Sequence, residues 1–144
     1  DKPEDVDLVV SLTAMSRGPS VDAPAIDVTV AGEPFNVSRE AIYLLLGVTQ
    51  EALRNVERHS RATSACVKLT FAGNCLILEI DDNGVGFDPP QDEQGAAYRG
   101  ALGLLGLYER ATLLGGTLYI ASSQTTGTSV RLRVPLSSVS RSTS

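Results

Sequence analysis

The apolar residues of this chain change their spacing near Ser60, and that change restricts the folds it can adopt. Residues 38–59 carry apolar side chains at helical spacing, which predicts one long helix. Residues 65–71 and 76–81 predict two strands, and the turn signal at 72–74 joins them into a hairpin. The helical stripe consists of Ala41, Leu44, Leu45, Val48, Ala52 and Val56. Such a helix must bury its stripe against a neighbouring layer.

Shorter patterns precede the long helix. Residues 8–12 form a helix-like apolar run, and residues 25–30 alternate as a strand does, before a turn at 31–32. Ser38 can cap the long helix because its hydroxyl can accept a hydrogen bond from a backbone amide of the first turn. The first part of the chain therefore predicts a helical stub, a strand and a capped helix.

The second half predicts another helix and another hairpin. Residues 104–114 fit a helix that stops at Gly115-Gly116, and residues 117–122 and 129–134 fit two strands. Residues 88–100 contain prolines and glycines without a period, which predicts a long loop. The order of elements predicts an α+β fold of two layers, with helices on one face of a mixed, mostly antiparallel sheet.

Length and composition fit one domain. A chain of 144 residues can build one core, which we assign to residues 24–136, with a linker stub at 1–23 and a Ser-rich disordered tail at 137–144. The net charge of -5 argues against a surface built for nucleic-acid phosphates, since such binding depends on clustered Lys and Arg. The longest apolar stretch, residues 41–48, is too short to cross a membrane. We therefore expect a soluble, cytoplasmic domain. The first residue is Asp rather than Met, which predicts a piece of a longer protein, and the parent can still be membrane-anchored.

Two cysteines, Cys66 and Cys75, fall in adjacent predicted strands. Neither belongs to a CxxC or Cys/His spacing typical of metal sites. We therefore expect two buried free thiols rather than a disulfide.

The first candidate site lies on the long helix. Glu51, Asn55 and His59 are spaced four residues apart and share a stripe beside the apolar one. An Asn side-chain oxygen can bind Mg²⁺, which often completes its coordination with phosphates and water. The same pattern also fits a solvated helix face.

The second candidate site is DDNGVGF at residues 81–87, at the end of a predicted strand. Its glycines permit close backbone approach, and an ionised Asp82 accepts hydrogen bonds but donates none. Such a group suits an exocyclic amine like that of adenine. A plain turn after a strand is the alternative.

The third candidate site is GALGLLGLYER at residues 100–110, where a glycine-bearing loop enters a helix. Free amides at a helix N-terminus, together with the positive end of the helix dipole, bind phosphate groups. Glycines at these positions also fit close packing between helices.

Taken in order, these segments resemble the N box and the two glycine boxes of the ATP-binding catalytic domain of bacterial sensor histidine kinases. QEALRNVERHSRAT, DDNGVGF and GLLGLYERA are similar to the branch that includes nitrate-response and lipid-fluidity sensors. Residues 127–130 resemble the final strand motif of that branch. The resemblance covers residues 24–136 and implies the Bergerat fold, an α/β sandwich that agrees with the layers predicted above.

The resemblance implies a role for each matching residue. Asn55 would hold Mg²⁺, and Glu51 occupies an acidic position suited to a general base or an orienting group. Asp82 would bind the adenine amino group, and Thr128 would approach the same amine through water. The other implied contacts are Gly84 and Gly86 in the base pocket, Arg58 and His59 facing the phosphates, and Gly103, Leu104 and Gly106 at the phosphates. A hydrogen-bonded structural role for His59 is an equal alternative.

The implied reaction is transfer of the γ-phosphoryl group of MgATP to a histidine on a separate dimerising segment, in two-component signal transduction. The implied partners are ATP or ADP, that segment of the same parent and, through the full-length kinase, a response regulator. We expect the chain by itself to be monomeric. His59 is its only histidine and lies in the N box, so the phosphoacceptor is expected elsewhere.

Two alternatives remain for the activity. One is an ATPase or serine kinase of the same superfamily, because fold and pocket do not decide the acceptor. The other is a degenerate nucleotide-binding module. Its basis is Ala101, which stands where the family has the first glycine of Gly-x-Gly before the helix, unless Gly100 takes that place through a one-residue shift.

Overall fold

The computed structural model describes residues 8–15, 25–55, 62–84, 104–123 and 127–139. The helices are α1 (Leu8–Ala14), α2 (Arg39–Asn55), α3 (Leu104–Leu113) and α4 (Leu136–Val139). The strands are β1 (Ala25–Gly32), β2 (Ser64–Phe71), β3 (Cys75–Asp82), β4 (Thr117–Ser123) and β5 (Gly127–Pro135). The loop predicted at 88–100 and the predicted end of the long helix beyond Asn55 lie outside the described residues.

The five strands form one sheet in the order β1-β2-β3-β5-β4. β1 runs parallel to β2, and the other three pairings are antiparallel, which confirms the mixed, mostly antiparallel sheet. β1 extends through Gly32, so the turn expected at 31–32 is instead the end of a strand. Gly32 has a φ of 88° and pairs with Phe71, whose backbone leaves no space for a Cβ at that position.

The core lies between the helices and one face of the sheet. Alternate residues of β2, β3 and β5 point to this face and are buried: Val67, Leu69, Leu76, Leu78, Ile80, Val130, Leu132 and Val134. The helices contribute Leu8, Leu12, Ile42, Leu45, Val48, Ala52, Leu104 and Leu107. The opposite face carries Lys68, Arg131 and Tyr119, which are exposed. This segregation confirms the α+β prediction of helices over one face.

Ser38 caps α2, as predicted, since its Oγ accepts a hydrogen bond of 3.1 Å from the Ala41 amide. The predicted stripe is buried in the described part of the helix, except that Leu44 is half-buried. The one polar residue buried in the stripe region, Thr49, donates its hydroxyl to the Leu45 carbonyl at 2.9 Å. The apolar pattern therefore sets which side of α2 meets the sheet.

The end of α3 is fixed by its two following glycines. The Gly116 amide donates to the Ala111 carbonyl and the Gly115 amide to the Thr112 carbonyl, a pair of bonds that forms a Schellman motif. Gly115 has a φ of 68°, the left-handed conformation this motif requires. The helix ends at Leu113, one residue before the predicted end.

Both cysteines are free thiols, as expected. Cys75 is buried, whereas Cys66 is only half-buried because it belongs to the open face of the sheet. They lie at opposite ends of the β2–β3 hairpin: Cys66 pairs with Asp81, and Cys75 follows the turn. No described helix is long and apolar enough to cross a membrane.

Candidate functional site

One end of the sheet holds three of the predicted site residues, Asp82, Gly84 and Thr128. β3 ends there at Asp82, and β1, β2 and β5 begin there, because β3 is antiparallel to β2 and β5. α3 is joined to the far end of β4 by a three-residue turn, and α2 follows the far end of β1. The two helices pack against each other over the sheet. The C-terminal end of α2 and the N-terminal end of α3 are therefore directed toward the end that holds Asp82.

The Asp82 carboxylate is held from two directions. Its Oδ1 accepts a hydrogen bond of 2.8 Å from the Gly84 amide and a longer one of 3.4 Å from the Thr128 amide. Its Oδ2 accepts no hydrogen bond from the described residues. Asp82 is half-buried and continues the inward-facing row of Leu78 and Ile80. It therefore offers one oriented acceptor oxygen next to the apolar core.

Gly127 and Thr128 meet Asp82 from β5. Gly127 is buried, has a φ of 88° and lies so close to Asp82 that a Cβ would overlap the Asp82 carbonyl oxygen. The Thr128 hydroxyl lies 2.8 Å from the Ser122 hydroxyl of the neighbouring strand, which fixes its position. The roles of Gly127 and Ser122 were not anticipated. For Gly127 the available signal was the Gly-Thr pair just before the strand predicted at 129–134.

Two hollows flank Asp82. One, of about 260 Å³, is lined by Asp81, Asp82, Ala121, Ser122, Gly127, Thr128 and Ser129. The other, of about 600 Å³, lies beside β1 and β2 and is lined by Ala25, Ile26, Asp27, Ser64, Ala65, Cys66, Asp81, Asp82 and Asn83. Asp82 is thus accessible from both sides of β3.

Asn83, between Asp82 and Gly84, bonds to the start of β2. Its Oδ1 accepts from the Thr63 and Ser64 amides at 3.0 and 3.1 Å, and its Nδ2 donates to Thr63 Oγ1 at 2.9 Å. The turn after β3 is consequently tied to the neighbouring strand. This residue also lay within a predicted motif without a predicted role.

Glu51 and Asn55 lie on the last part of α2 and are both half-buried, as the stripe beside the apolar one predicts. The Glu51 carboxylate accepts a hydrogen bond of 3.2 Å from Arg54 Nη1, and its side chain is 18% exposed. No described contact joins either residue to Asp82. The structure therefore supports their position on the helix, and their functional roles remain predictions.

Leu104 and Gly106 lie in the first turn of α3. Leu104 is buried in the core, and Gly106 is half-buried. The Gly106 carbonyl accepts a hydrogen bond of 3.2 Å from Arg110 Nη1, and a Cβ on Gly106 would lie 2.9 Å from that nitrogen. This contact is with a side chain of the same helix, so it does not test the close packing between helices that was the alternative for this glycine. The phosphate role also stays a prediction.

Four of the predicted contacts, Arg58, His59, Gly86 and Gly103, lie outside the described residues, and so does Ala101. Of the other predicted residues, the structure brings Asp82, Gly84 and Thr128 into direct contact. These three come from two segments more than 40 residues apart in sequence, consistent with a shared site.

The sequence profile of the family described as "Histidine kinase-, DNA gyrase B-, and HSP90-like ATPase" matches residues 42–138. The chain is 39% identical over 93 residues to the signal transduction histidine-protein kinase/phosphatase DegS of Bacillus subtilis, covering 65% of this chain and 24% of DegS. It is 38% identical over 104 residues to the sensor protein VraS of Staphylococcus aureus, covering 72% of this chain and 28% of VraS. The chain spans about a quarter of the length of these relatives.

Solved structures agree with the profile match. The ATP binding domain of PrrB from Mycobacterium tuberculosis gives a TM-score of 0.66 at 26% identity, covering 90% of this chain and 94% of that one. The histidine kinase domain of the blue-light activated kinase EL346 of Erythrobacter litoralis gives a TM-score of 0.62 at 23% identity, over 89% of this chain and 62% of that one, and shows the fold alone. The predicted Bergerat fold is thereby confirmed. The chain belongs to the family of histidine kinase-, DNA gyrase B- and HSP90-like ATPases, and its relatives within it are sensor histidine kinases.

Proposed function

We propose that this domain binds MgATP and supplies the γ-phosphoryl group to a histidine on a separate dimerising segment of its parent protein. The observation that carries the proposal is the Asp82 carboxylate, whose Oδ1 is held by Gly84 and Thr128 while Oδ2 accepts no bond from the described residues. Its neighbours in sequence and in space are the residues that the family resemblance selects. The family membership and the sensor kinase relatives support the same proposal.

Adenine would bind beside Asp82. The carboxylate accepts hydrogen bonds but donates none, so it favours an amino group and disfavours a carbonyl oxygen at the same place. The hollow of about 260 Å³ beside Thr128 provides room for a water molecule that bridges the Thr128 hydroxyl and the same amine. Gly84, and by resemblance Gly86, would let the backbone approach the base.

The triphosphate would lie between the ends of α2 and α3. Backbone amides at the start of α3, near Gly103, Leu104 and Gly106, would bind phosphate oxygens. Arg58 and His59, which follow Asn55 closely in the sequence, would add positive charge. These assignments rest on the resemblance and on the direction of the two helices.

Asn55 fits a Mg²⁺ ion bound mainly through the nucleotide. Within the described ranges, no cluster of three or more His, Cys, Asp or Glu side chains could hold a metal ion. An ion at the half-buried Asn55 carboxamide would therefore take its other ligands from phosphates and water, which is the coordination that Mg²⁺ favours. When bound, Mg²⁺ would neutralise negative charge on the phosphates.

The reaction requires positioning more than covalent chemistry by the protein. A ring nitrogen of the acceptor histidine attacks the γ-phosphorus with its lone pair, a phosphorus–nitrogen bond forms, and the bond to the bridging oxygen of the leaving ADP breaks. Glu51 would orient the incoming imidazole by accepting its ring N–H. Since His59 is the only histidine of the chain and lies in the N box, the acceptor belongs to another segment.

The setting proposed for this reaction is two-component signalling. The full-length kinase would pass the phosphoryl group from its histidine to a response regulator. The domain itself would work in the cytoplasm, and as an isolated chain it would be a monomer.

Calorimetry with ADP tests the nucleotide site. We expect Asp82→Asn to weaken ADP binding at least tenfold, because it places a donor where the adenine amine needs an acceptor, roughly the loss of one charged hydrogen bond. Glu79→Gln is the matched control, since Glu79 lies on the open face of β3 and lines neither hollow, and it should stay within about twofold of the original affinity. ADP affinity within twofold for Asp82→Asn would reject the adenine role.

Addition of a dimerising histidine segment from the parent protein separates the possible activities. Label transferred from γ-labelled ATP to that segment supports the kinase. Steady release of phosphate without the segment would favour an ATPase, and ADP binding without either reaction would favour a degenerate module.

A further inference from the structure

We propose that Asn83 is a positioning residue, which fixes the direction of the Asp82 carboxylate by tying the turn after β3 to the start of β2. The inference rests on the proposed adenine site and assigns a role to Asn83, which the site does not otherwise use. Asn83 would touch neither the base nor the phosphates.

The Asn83 carboxamide is occupied within the protein. Both of its polar atoms face Thr63 and Ser64: Oδ1 accepts two amide hydrogen bonds of 3.0 and 3.1 Å, and Nδ2 donates to the Thr63 hydroxyl at 2.9 Å. The Asn83 amide also donates to the Ser64 carbonyl at 3.3 Å. Four hydrogen bonds thus converge on two residues, although the exposure of Asn83 makes each of them weaker than a buried bond.

Thr63 carries this connection further across the sheet. Its carbonyl accepts a hydrogen bond of 3.1 Å from the Ala25 amide, at the first residue of β1. Asn83 therefore joins the turn after β3 to the starts of both β2 and β1. These three ends surround the larger hollow beside Asp82.

The consequence for Asp82 follows from its neighbours. Gly84, the residue after Asn83, donates the 2.8 Å bond that orients Asp82 Oδ1. Gly84 has no side chain of its own to restrict its backbone, so the Asn83 anchor limits where its amide can point. On the other side of Asp82, Thr128 donates from β5 at the longer distance of 3.4 Å. The carboxylate is held directly from β5 and, through Asn83, from β2.

Removing the anchor should weaken recognition of adenine in the folded protein. In Asn83→Ala the turn gains alternative conformations, and nucleotide binding must then order it. We expect about a fivefold loss of ADP affinity. Because Asp82 oriented in this way disfavours the carbonyl oxygen of guanine, we also expect the ratio of ADP to GDP affinity to fall at least threefold.

The experiment measures ADP and GDP binding by calorimetry at a temperature where melting curves show each variant to be folded. Thr63→Val removes the hydroxyl that Asn83 bonds and should lower the ADP to GDP ratio in the same direction. Thr63→Ser retains the hydroxyl and should restore the original ratio. Asn74→Ala, in the turn at the other end of the same hairpin, is the matched control and should leave both affinities unchanged.

The outcomes separate this inference from the proposed function. If the original chain binds no ADP, the proposed site itself is wrong. If it binds ADP and Asn83→Ala lowers only the melting temperature, with an unchanged ADP to GDP ratio, Asn83 is a stabilising residue and the inference fails. If Asn83→Ala does not fold, Thr63→Val and Thr63→Ser provide the test instead. An equal ratio of ADP to GDP affinity in these two variants would overturn the positioning role of Asn83.

Discussion

At the scale of single residues, the tightest constraint on the site is the contact between Gly127 and Asp82. Gly127→Ala would place a methyl group against the Asp82 carbonyl and force an L-residue to a φ of 88°. We expect a loss of at least about 2 kcal/mol in the free energy of unfolding, from backbone strain and overlap together. ADP affinity should fall as well, because Asp82 must move. Urea unfolding and calorimetry measure the two effects.

Gly73 supplies the control for this prediction. It also has a positive φ, of 76°, but a Cβ there meets no atom within 4 Å. Gly73→Ala should therefore show only the backbone cost, about 1 kcal/mol, and leave ADP binding unchanged. If Gly127→Ala and Gly73→Ala lose the same free energy of unfolding, the overlap of the new methyl group with Asp82 is relieved at no cost.

At the scale of elements, α2 depends on the capping hydroxyl of Ser38. Ser38→Ala leaves the Ala41 amide without its acceptor and should destabilise the domain by about 1 kcal/mol. Ser38→Asp keeps an acceptor at the same position and should recover most of this loss. Urea midpoints for the two variants measure the difference. An unchanged midpoint in Ser38→Ala would mean that water replaces the cap at no cost.

The side chain of Arg110, on α3, lies close to two glycines: Gly47 of α2 and Gly106 of α3. A Cβ on Gly47 would lie 2.5 Å from Arg110 Nε and 3.0 Å from its Cδ, and Arg110 also bonds the Gly106 carbonyl. In an Arg110→Ala background, Gly47→Ala should stabilise the domain by about 1 kcal/mol, the usual gain of alanine over glycine in a helix. With Arg110 present, most of that gain should vanish.

A double-mutant cycle in urea measures this coupling directly. Equal gains from Gly47→Ala in both backgrounds would show that Arg110 moves aside freely. The coupling should appear in the free energy of unfolding, since both residues lie at the interface of the two helices.

At the scale of the whole molecule, α1 shares the core of the domain. Leu8 and Leu12 are 4% and 1% exposed, and α1 packs against α2 and β1. Leu12→Ala should lower the free energy of unfolding of the entire domain by about 2 to 4 kcal/mol, the cost of a cavity in a packed core. Val10→Ala is the control, since Val10 is 65% exposed, and should change stability by less than about 0.5 kcal/mol.

Circular dichroism and tyrosine fluorescence should follow one unfolding transition in both variants if α1 is part of the cooperative unit. A local loss of helix in Leu12→Ala, with an unchanged midpoint for the sheet, would separate α1 from the core. The buried position of Leu12 argues for one transition.

Most elements of this fold could be predicted from the sequence because they have a local signal. Each signal depends on residues that are close in sequence. Examples are the helical spacing of apolar residues at 41–52, the N-cap at Ser38 and the glycine pair at 115–116. The exception is α4, because residues 137–139 were assigned to a disordered tail. The end of β1 was missed because Gly32 continues a strand only through its pairing with Phe71, a contact across the sheet. The family was also determined by the sequence, since three motifs in a fixed order identify it.

The candidate site was predicted as a set of residues, and its internal contacts were decided by the tertiary structure. Thr128 reaches Asp82 because β5 is inserted between β3 and β4, a strand order that no local pattern reveals. Asn83 meets Thr63 through the register of the β2–β3 hairpin, and Arg110 meets Gly47 through the packing of α3 against α2. The periodicity of apolar residues specifies which side of a helix or strand is buried. Which residues pack against that side depends on the order of the strands and on the packing of the helices. The sequence motif therefore predicted Asp82 as the hydrogen-bond acceptor. Only the folded sheet determined which backbone amides donate hydrogen bonds to its carboxylate.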